Sequence, residues 1–126
     1  MRLLLDTSAL LWLLDDSDRL GLRARTAMQA AESLVVADAS LWEIAVKISI
    51  GKLRTVPDFA TVVSELGFER ATVSARQIET LAALPLRHRD PFDRMLISHA
   101  LSDDLTVVTS DPMFEKYGVR VVDATT

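Results

Sequence analysis

The sequence predicts an α/β protein built on a parallel sheet. Strand-like and helix-like runs alternate along the chain, the order that right-handed crossovers convert into a parallel sheet. The first run, Leu3-Leu4-Leu5, is wholly apolar, as strands covered on both faces are, and it stops at a carboxylate followed by two hydroxyls, Asp6-Thr7-Ser8. With 126 residues, 49% of them hydrophobic, and no repeat, linker or low-complexity stretch, the chain suits a single domain over 1–126.

Taken in order, Ala9 to Leu14 is apolar enough for a buried helix, and the acidic run Asp15 to Asp18 marks a surface turn. Leu22 to Glu32 is rich in the helix formers Ala, Arg, Met and Gln, and Ser33 to Ala37 has the β-branched centre of a second strand. Ala39 to Ile50 is a helix apolar over so much of its circumference that it is expected to be largely buried, with Glu43 and Lys47 as its polar exceptions. Gly51 stands where a left-handed cap is expected.

Past Pro57, Phe59 to Leu66 reads as a helix closed by Gly67, and Arg70 to Val73 as a weak strand. Ser74 caps a helix through Ala83 that Pro85 ends. A polar loop, Leu86 to Asp93, enters a strong helix over Phe92 to Leu101, for which Asp90 as N-cap and Pro91 at the first position are start signals. Leu105 to Thr109 is a strand, Ser110-Asp111-Pro112 opens a short helix near Phe114, and Val119 to Val122 is the last strand. Asp123 to Thr126 is expected to be frayed.

Composition narrows the function. A net charge of −4, with 18 acidic against 14 basic residues, argues against holding nucleic acid through a broad basic surface. It leaves nucleic-acid chemistry open, because metal-chelating carboxylates count as negative although the loaded site is much less so. The absence of Cys excludes thiol catalysis, thiolate metal sites and disulfides, and is compatible with a reducing cytoplasm. Arg2 and the apolar run to Leu14 resemble a signal peptide, but Asp6 interrupts the run and an acidic cluster replaces the small-residue cleavage site. No apolar stretch approaches the ~18 residues of a membrane span, so a soluble protein with no membrane role is expected.

Four carboxylates stand out by position. Asp6 and Asp111 each follow a predicted strand, while Glu43 and Asp93 are expected in the first turns of helices at the same edge of the sheet, the edge where ligands of open α/β sheets bind. Each also has a structural reading. Asp6 and Asp111 suit N-caps, Asp93 complements a positive helix end, and Ser40-Leu41-Trp42-Glu43 matches a capping box, with Lys47 an i, i+4 partner of Glu43. Gathered together, four like charges repel unless cations occupy the site, and hard oxygen ligands select Mg²⁺ or Mn²⁺. The natural chemistry of such a centre is attack of metal-activated water on a phosphodiester.

The segments Leu4-Leu5-Asp6-Thr7-Ser8-Ala9-Leu10-Leu11, Ser40-Leu41-Trp42-Glu43-Ile44-Ala45-Val46-Lys47, Asp90-Pro91-Phe92-Asp93-Arg94-Met95-Leu96-Ile97 and Thr109-Ser110-Asp111, in this order, resemble a PIN domain. More narrowly, they resemble the VapC-type ribonuclease toxins of bacterial toxin–antitoxin pairs. The resemblance implies a Mg²⁺- or Mn²⁺-dependent endoribonuclease acting on RNA, with Asp6, Glu43 and Asp93 as core acidic residues, catalytic and metal-binding, and Asp111 as the fourth. It also implies a three-layer α/β/α fold on a parallel, five-stranded sheet, a homodimer and a cognate antitoxin that blocks the acidic site, and it suggests Thr7, Ser8 and Ser110 as hydrogen-bonding support.

Neighbouring residues have two readings each. Lys47 either orients Glu43 or touches a phosphate, and Arg87, His88, Arg89 and Arg94 form a basic stretch suited to RNA phosphates or a solvated loop. His88 and His99 are too few and too far apart in sequence for a His-based zinc site, Asp90 reads as a cap, and Trp12 and Trp42 suit core or dimer surface. Two other chemistries begin with an Asp after the first strand: a phosphatase using Asp6 as nucleophile, and a non-catalytic receiver. Both ordinarily carry a second acid nearby, and the residue two places on is Ser8. A non-catalytic RNA-binding scaffold is the remaining alternative, disfavoured because all four acids are present.

Overall fold

The structure, a computed structural model, describes residues 1–126. The elements are β1 (Arg2–Leu5), α1 (Thr7–Leu14), α2 (Leu22–Ala30), β2 (Ser33–Ala37), α3 (Asp38–Ser49), α4 (Phe59–Glu65), β3 (Glu69–Ala71), α5 (Ala75–Ala83), α6 (Pro91–Asp103), β4 (Thr106–Thr109), a 3₁₀ turn (Glu115–Tyr117) and β5 (Val121–Asp123). All five strands are parallel, in the order β3-β2-β1-β4-β5.

β1 is central because its three leucines can be covered on both sides. Leu4 pairs with Val35 on one flank and Val107 on the other. Successive side chains of a strand face opposite ways, so Leu3 and Leu5 enter one core with Ala9, Leu10, Ala24, Met28, Leu41 and Ile44, from α1, α2 and α3. Leu4 enters the other with Leu96, Ile97 and Ala100 of α6 and with Phe114. Burying each such leucine contributes roughly 1.5–3 kcal/mol, which is what fixes the register of the sheet. The layers are thus helices, sheet, helices, as expected.

The topology itself locates a binding edge. From β1 the chain builds outward to β2 and β3 on one side, then crosses to β4 and β5 on the other. The strand order reverses between β1 and β4, and the crevice beyond the carboxyl ends at such a switch point is where open α/β sheets bind ligands.

Several expectations are corrected. α3 begins at Asp38 and its N-cap is Ala37, so Ser40 lies inside the helix and the Ser40–Glu43 capping box does not form. Glu43 accordingly belongs to the second turn of α3, not the first. Nor is α3 largely buried: Leu41, Glu43 and Ile44 are, but Trp42 is 67% exposed and Val46, Ile48 and Ile50 are exposed with it. The side of α3 that carries Leu41 and Ile44 packs on the sheet, and the side of Trp42 and Val46 is largely uncovered, Trp42 meeting only the edge of Phe92. The predicted short helix near Phe114 is the 3₁₀ turn.

The C-terminus is not frayed either. Ala124 is fully buried, Gly21 donates its N–H to the Ala124 carbonyl at 2.9 Å, and Arg23 donates to the Thr126 carbonyl at 2.8 Å. A Cβ on Gly21 would come within 2.3 Å of the Thr126 carbonyl carbon. The tail therefore needs glycine at the start of α2.

Candidate active site

Each acid is placed by local chemistry. Asp6 ends β1, donates its N–H to the Val108 carbonyl at 3.0 Å, and caps α1 by accepting from the Ala9 N–H at 2.8 Å on Oδ1. Its Oδ2 accepts from the Thr109 hydroxyl at 2.6 Å, and the residue is only 6% exposed. Thr109 Oγ1 in turn accepts from the Asp111 N–H at 3.0 Å, so one hydroxyl ties the end of β1 to the turn after β4. Asp111 shapes that turn, accepting from the Met113 N–H at 2.9 Å on Oδ1 and leaving Oδ2 to face inward.

Glu43 is buried on α3 with both oxygens engaged. Oε1 accepts from the Thr7 hydroxyl and Oε2 from the Lys47 ammonium, each at 2.7 Å. The i, i+4 pair is therefore made, and the bond to Glu43 holds the Lys47 ammonium above its ordinary pKa. Asp90 is the cap of α6, accepting from the N–H groups of Phe92 and Asp93 at 2.8 and 3.1 Å. Asp93, in the first turn, is left free to face Asp111.

The four acids are close enough to act on one another through their charge. Burial raises the Asp6 pKa against the hydrogen bonds from Thr109 and Ala9, and the charges of Asp111 and Glu43 raise it further. Asp93 is pushed up to about 7 by burial and by Asp90, with His88 opposing and Glu43 and Asp6 adding to the rise. The tightest grouping is His88, Asp93 and Asp111, whose ligand atoms lie within 4.8 Å of one another. Asp6 and Glu43 stand outside that group and act on it through their charge. Buried carboxylates that repel one another and offer hard oxygens suit a divalent cation such as Mg²⁺ or Mn²⁺.

Of the hydroxyls expected to support the acids, Thr7 does so through Glu43, whereas Ser8 and Ser110 are exposed. Three contributors were missed or misread: Thr109, which bonds Asp6, His88 and Tyr117. His88 is no solvated loop residue: its Nε2 lies 2.9 Å from Asp93 Oδ2 and 3.0 Å from Asp111 Oδ2. Tyr117 organises the loop that carries it, its hydroxyl accepting from the N–H groups of Arg87 and His88 at 2.9 and 2.8 Å and donating to the Pro85 carbonyl at 2.7 Å. A His two residues before an Asp-Pro cap was the one available signal.

The basic stretch divides. Arg94 spends its guanidinium on the carbonyls of Leu81, Leu84, Pro85 and His88, and Arg87 donates to the Lys116 carbonyl at 2.6 Å. Arg89 is exposed and has no protein partner, so it alone of the four is available to a phosphate. His99 is buried on α6 with neither ring nitrogen bonded, and burial lowers its pKa; it has no part in the site. Against the phosphatase and receiver readings, position 8 is an exposed serine, and the nearby lysine is committed to Glu43.

Residues 3–120 match the PIN domain family. No curated protein matches the sequence. Among solved structures, VapBC2 from Rickettsia felis bound to a DNA fragment from their promoter is similar with a TM-score of 0.69 at 16% identity, over 97% of this chain and 98% of that one. DNA-bound VapBC from Salmonella typhimurium is similar with a TM-score of 0.67 at 18% identity, over 98% of each chain. A toxin–antitoxin complex from Klebsiella pneumoniae is similar with a TM-score of 0.61 at 18% identity, over 96% of each chain. At these identities the likeness establishes a shared fold.

Proposed function

The chain belongs to the PIN domain family, and on that premise we propose that it is a Mg²⁺- or Mn²⁺-dependent endoribonuclease serving as the toxin of a toxin–antitoxin pair. The observation that carries this reading is the grouping of acids at the switch-point crevice, where ligand atoms of Asp93 and Asp111 lie within 4.8 Å of one another and the charges of Asp6 and Glu43 reach Asp93. Groups held in that condition favour a cation over empty space.

Asp6, Glu43, Asp93 and Asp111 would hold the ion, which when bound supplies a Lewis acid and lowers the pKa of water for attack on phosphorus. The chain's own part is positioning. Thr109 and the α1 amide fix Asp6, Thr7 and Lys47 fix Glu43, and the Asp111 turn is closed on Met113. Arg89 offers a free cation for the RNA backbone beside these acids.

The proposed partners are a cognate antitoxin and a second copy of the chain. Support for the antitoxin is the fold shared with a toxin–antitoxin complex, and an acidic crevice has a basic segment as its electrostatic complement. Support for the homodimer is the apolar outer face of α3, where one patch can meet its own copy about a two-fold axis. No helix is long and apolar enough to cross a membrane, and we place the activity in the cytoplasm with the RNA.

The purified chain, given single-stranded RNA with Mg²⁺ or Mn²⁺, is expected to produce fragments bearing 5′-phosphate and 3′-hydroxyl ends, and none with a chelator. Intact RNA with either metal would refute the assignment. So would cyclic phosphate ends, which mark attack by the RNA's own 2′-hydroxyl in place of water.

A further inference from the structure

His88 is held by contacts on every side. Its backbone N–H donates to the Tyr117 hydroxyl at 2.8 Å, and its carbonyl accepts from Arg94 Nη1 at 3.2 Å. Its ring stands edge-on to Phe114, the centroids 6.4 Å apart at 88°. Nδ1 accepts from the Asp90 N–H at 3.3 Å. A nitrogen that accepts carries no proton, so the ring proton of neutral His88 sits on Nε2. That nitrogen points between Asp111 Oδ2, to which it donates at 3.0 Å, and Asp93 Oδ2 at 2.9 Å.

We propose that His88 is a positioning residue of the metal centre, its Nε2–H setting the orientation and separation of Asp93 and Asp111 through the bond to Asp111. The proposal rests on the metal-centre reading above. An N–H at this point screens the two carboxylates from one another and leaves their other lone pairs to a cation. Ligating carboxylates are ordinarily held in this way by hydrogen-bond donors outside the metal's own contacts. A His that itself ligated through Nε2 would carry its proton on Nδ1, where the Asp90 N–H already points.

The test is Mn²⁺ binding, followed by the electron paramagnetic resonance of free Mn²⁺, on the wild type, His88→Ala and His88→Gln. Glutamine places an amide N–H near the position of Nε2. His88→Ala is expected to weaken Mn²⁺ binding about 10–100-fold, and His88→Gln to restore most of the loss. On the unaltered chain with Mg²⁺, ¹⁵N spectra are expected to show a protonated Nε2 and a bare Nδ1. If the wild type binds Mn²⁺ and His88→Ala binds as tightly, this proposal falls while the metal centre stands. A protonated Nδ1 in the Mg²⁺ form, or nitrogen coupling from His88 to bound Mn²⁺, would make His88 a ligand and also overturn it. No Mn²⁺ binding by the wild type removes the metal centre and the proposal together.

Discussion

Thr109 donates its hydroxyl proton to Asp6 Oδ2 at 2.6 Å, joining the ends of two adjacent strands that lie 103 residues apart in sequence. Thr109 Oγ1 itself accepts from the Asp111 amide N–H, so Thr109 serves two acids at once. Thr109→Val keeps the shape and removes both bonds in a buried place, which costs about 1–3 kcal/mol. Urea denaturation should show that loss, and Thr109→Ser should stay near wild type. A valine variant as stable as wild type would deny the bond its role.

The pH dependence of stability follows from Asp93. Its folded pKa of about 7 lies above the ordinary 3.8, so the folded state binds the proton more tightly than the unfolded chain does. The associated stability is complete below the unfolded value and is lost as the pH rises through the folded one. In chelator, wild type should therefore be less stable at about pH 8 than at about pH 5, and Asp93→Asn should remove on the order of 1–3 kcal/mol of that difference. Mg²⁺ added at the higher pH should restore wild type and not the variant. Identical pH profiles for both proteins would contradict the assignment of the shift to Asp93.

Gly21 is required by the tail. Its Cβ would meet the backbone of Thr125 and Thr126 at 2.6 and 2.3 Å, and backbone has little room to yield. Gly21→Ala should lower stability by roughly 1–3 kcal/mol, with a falling melting temperature. Deleting residues 124–126, which removes the buried Ala124 and three backbone bonds, should do the same. An unchanged melting temperature in either would mean that the tail is not docked.

These cases mark what the sequence could carry. β1 and Asp6 were legible because a contiguous apolar run ending in a carboxylate is local, and Asp90-Pro91 because cap chemistry acts within one turn. Asp93 and Asp111 were legible from the same cap patterns taken in chain order. Thr109, His88 and Tyr117 were not, since their roles depend on loops from distant parts of the chain meeting at the switch point. The exposed face of α3 was misjudged because an apolar surface says that something covers it, not whether the cover is the same chain. The docked tail was missed because its partners are the backbone N–H groups of Gly21 and Arg23, and backbone donors leave no trace in side-chain identity.

Trp42 tests what covers α3. Its ring is largely exposed and touches Phe92 edge-to-face, with centroids 5.5 Å apart, so its removal leaves no cavity in either core. Trp42→Glu should leave the unfolding midpoint of the monomer nearly unchanged and shift a dimer to monomer by sedimentation equilibrium. A variant that remains dimeric would move the interface elsewhere.

The most direct test of the acidic centre is RNA cleavage by Asp6→Asn. Asparagine is as good a cap as aspartate, its carbonyl can still accept from the Ala9 amide, and its amide can donate to the Thr109 hydroxyl. The variant should thus melt with wild type while losing the charge that a cation requires. With saturating Mg²⁺ or Mn²⁺, its cleavage rate is expected to fall to that of wild type in chelator. Cleavage as fast as wild type would contradict the account.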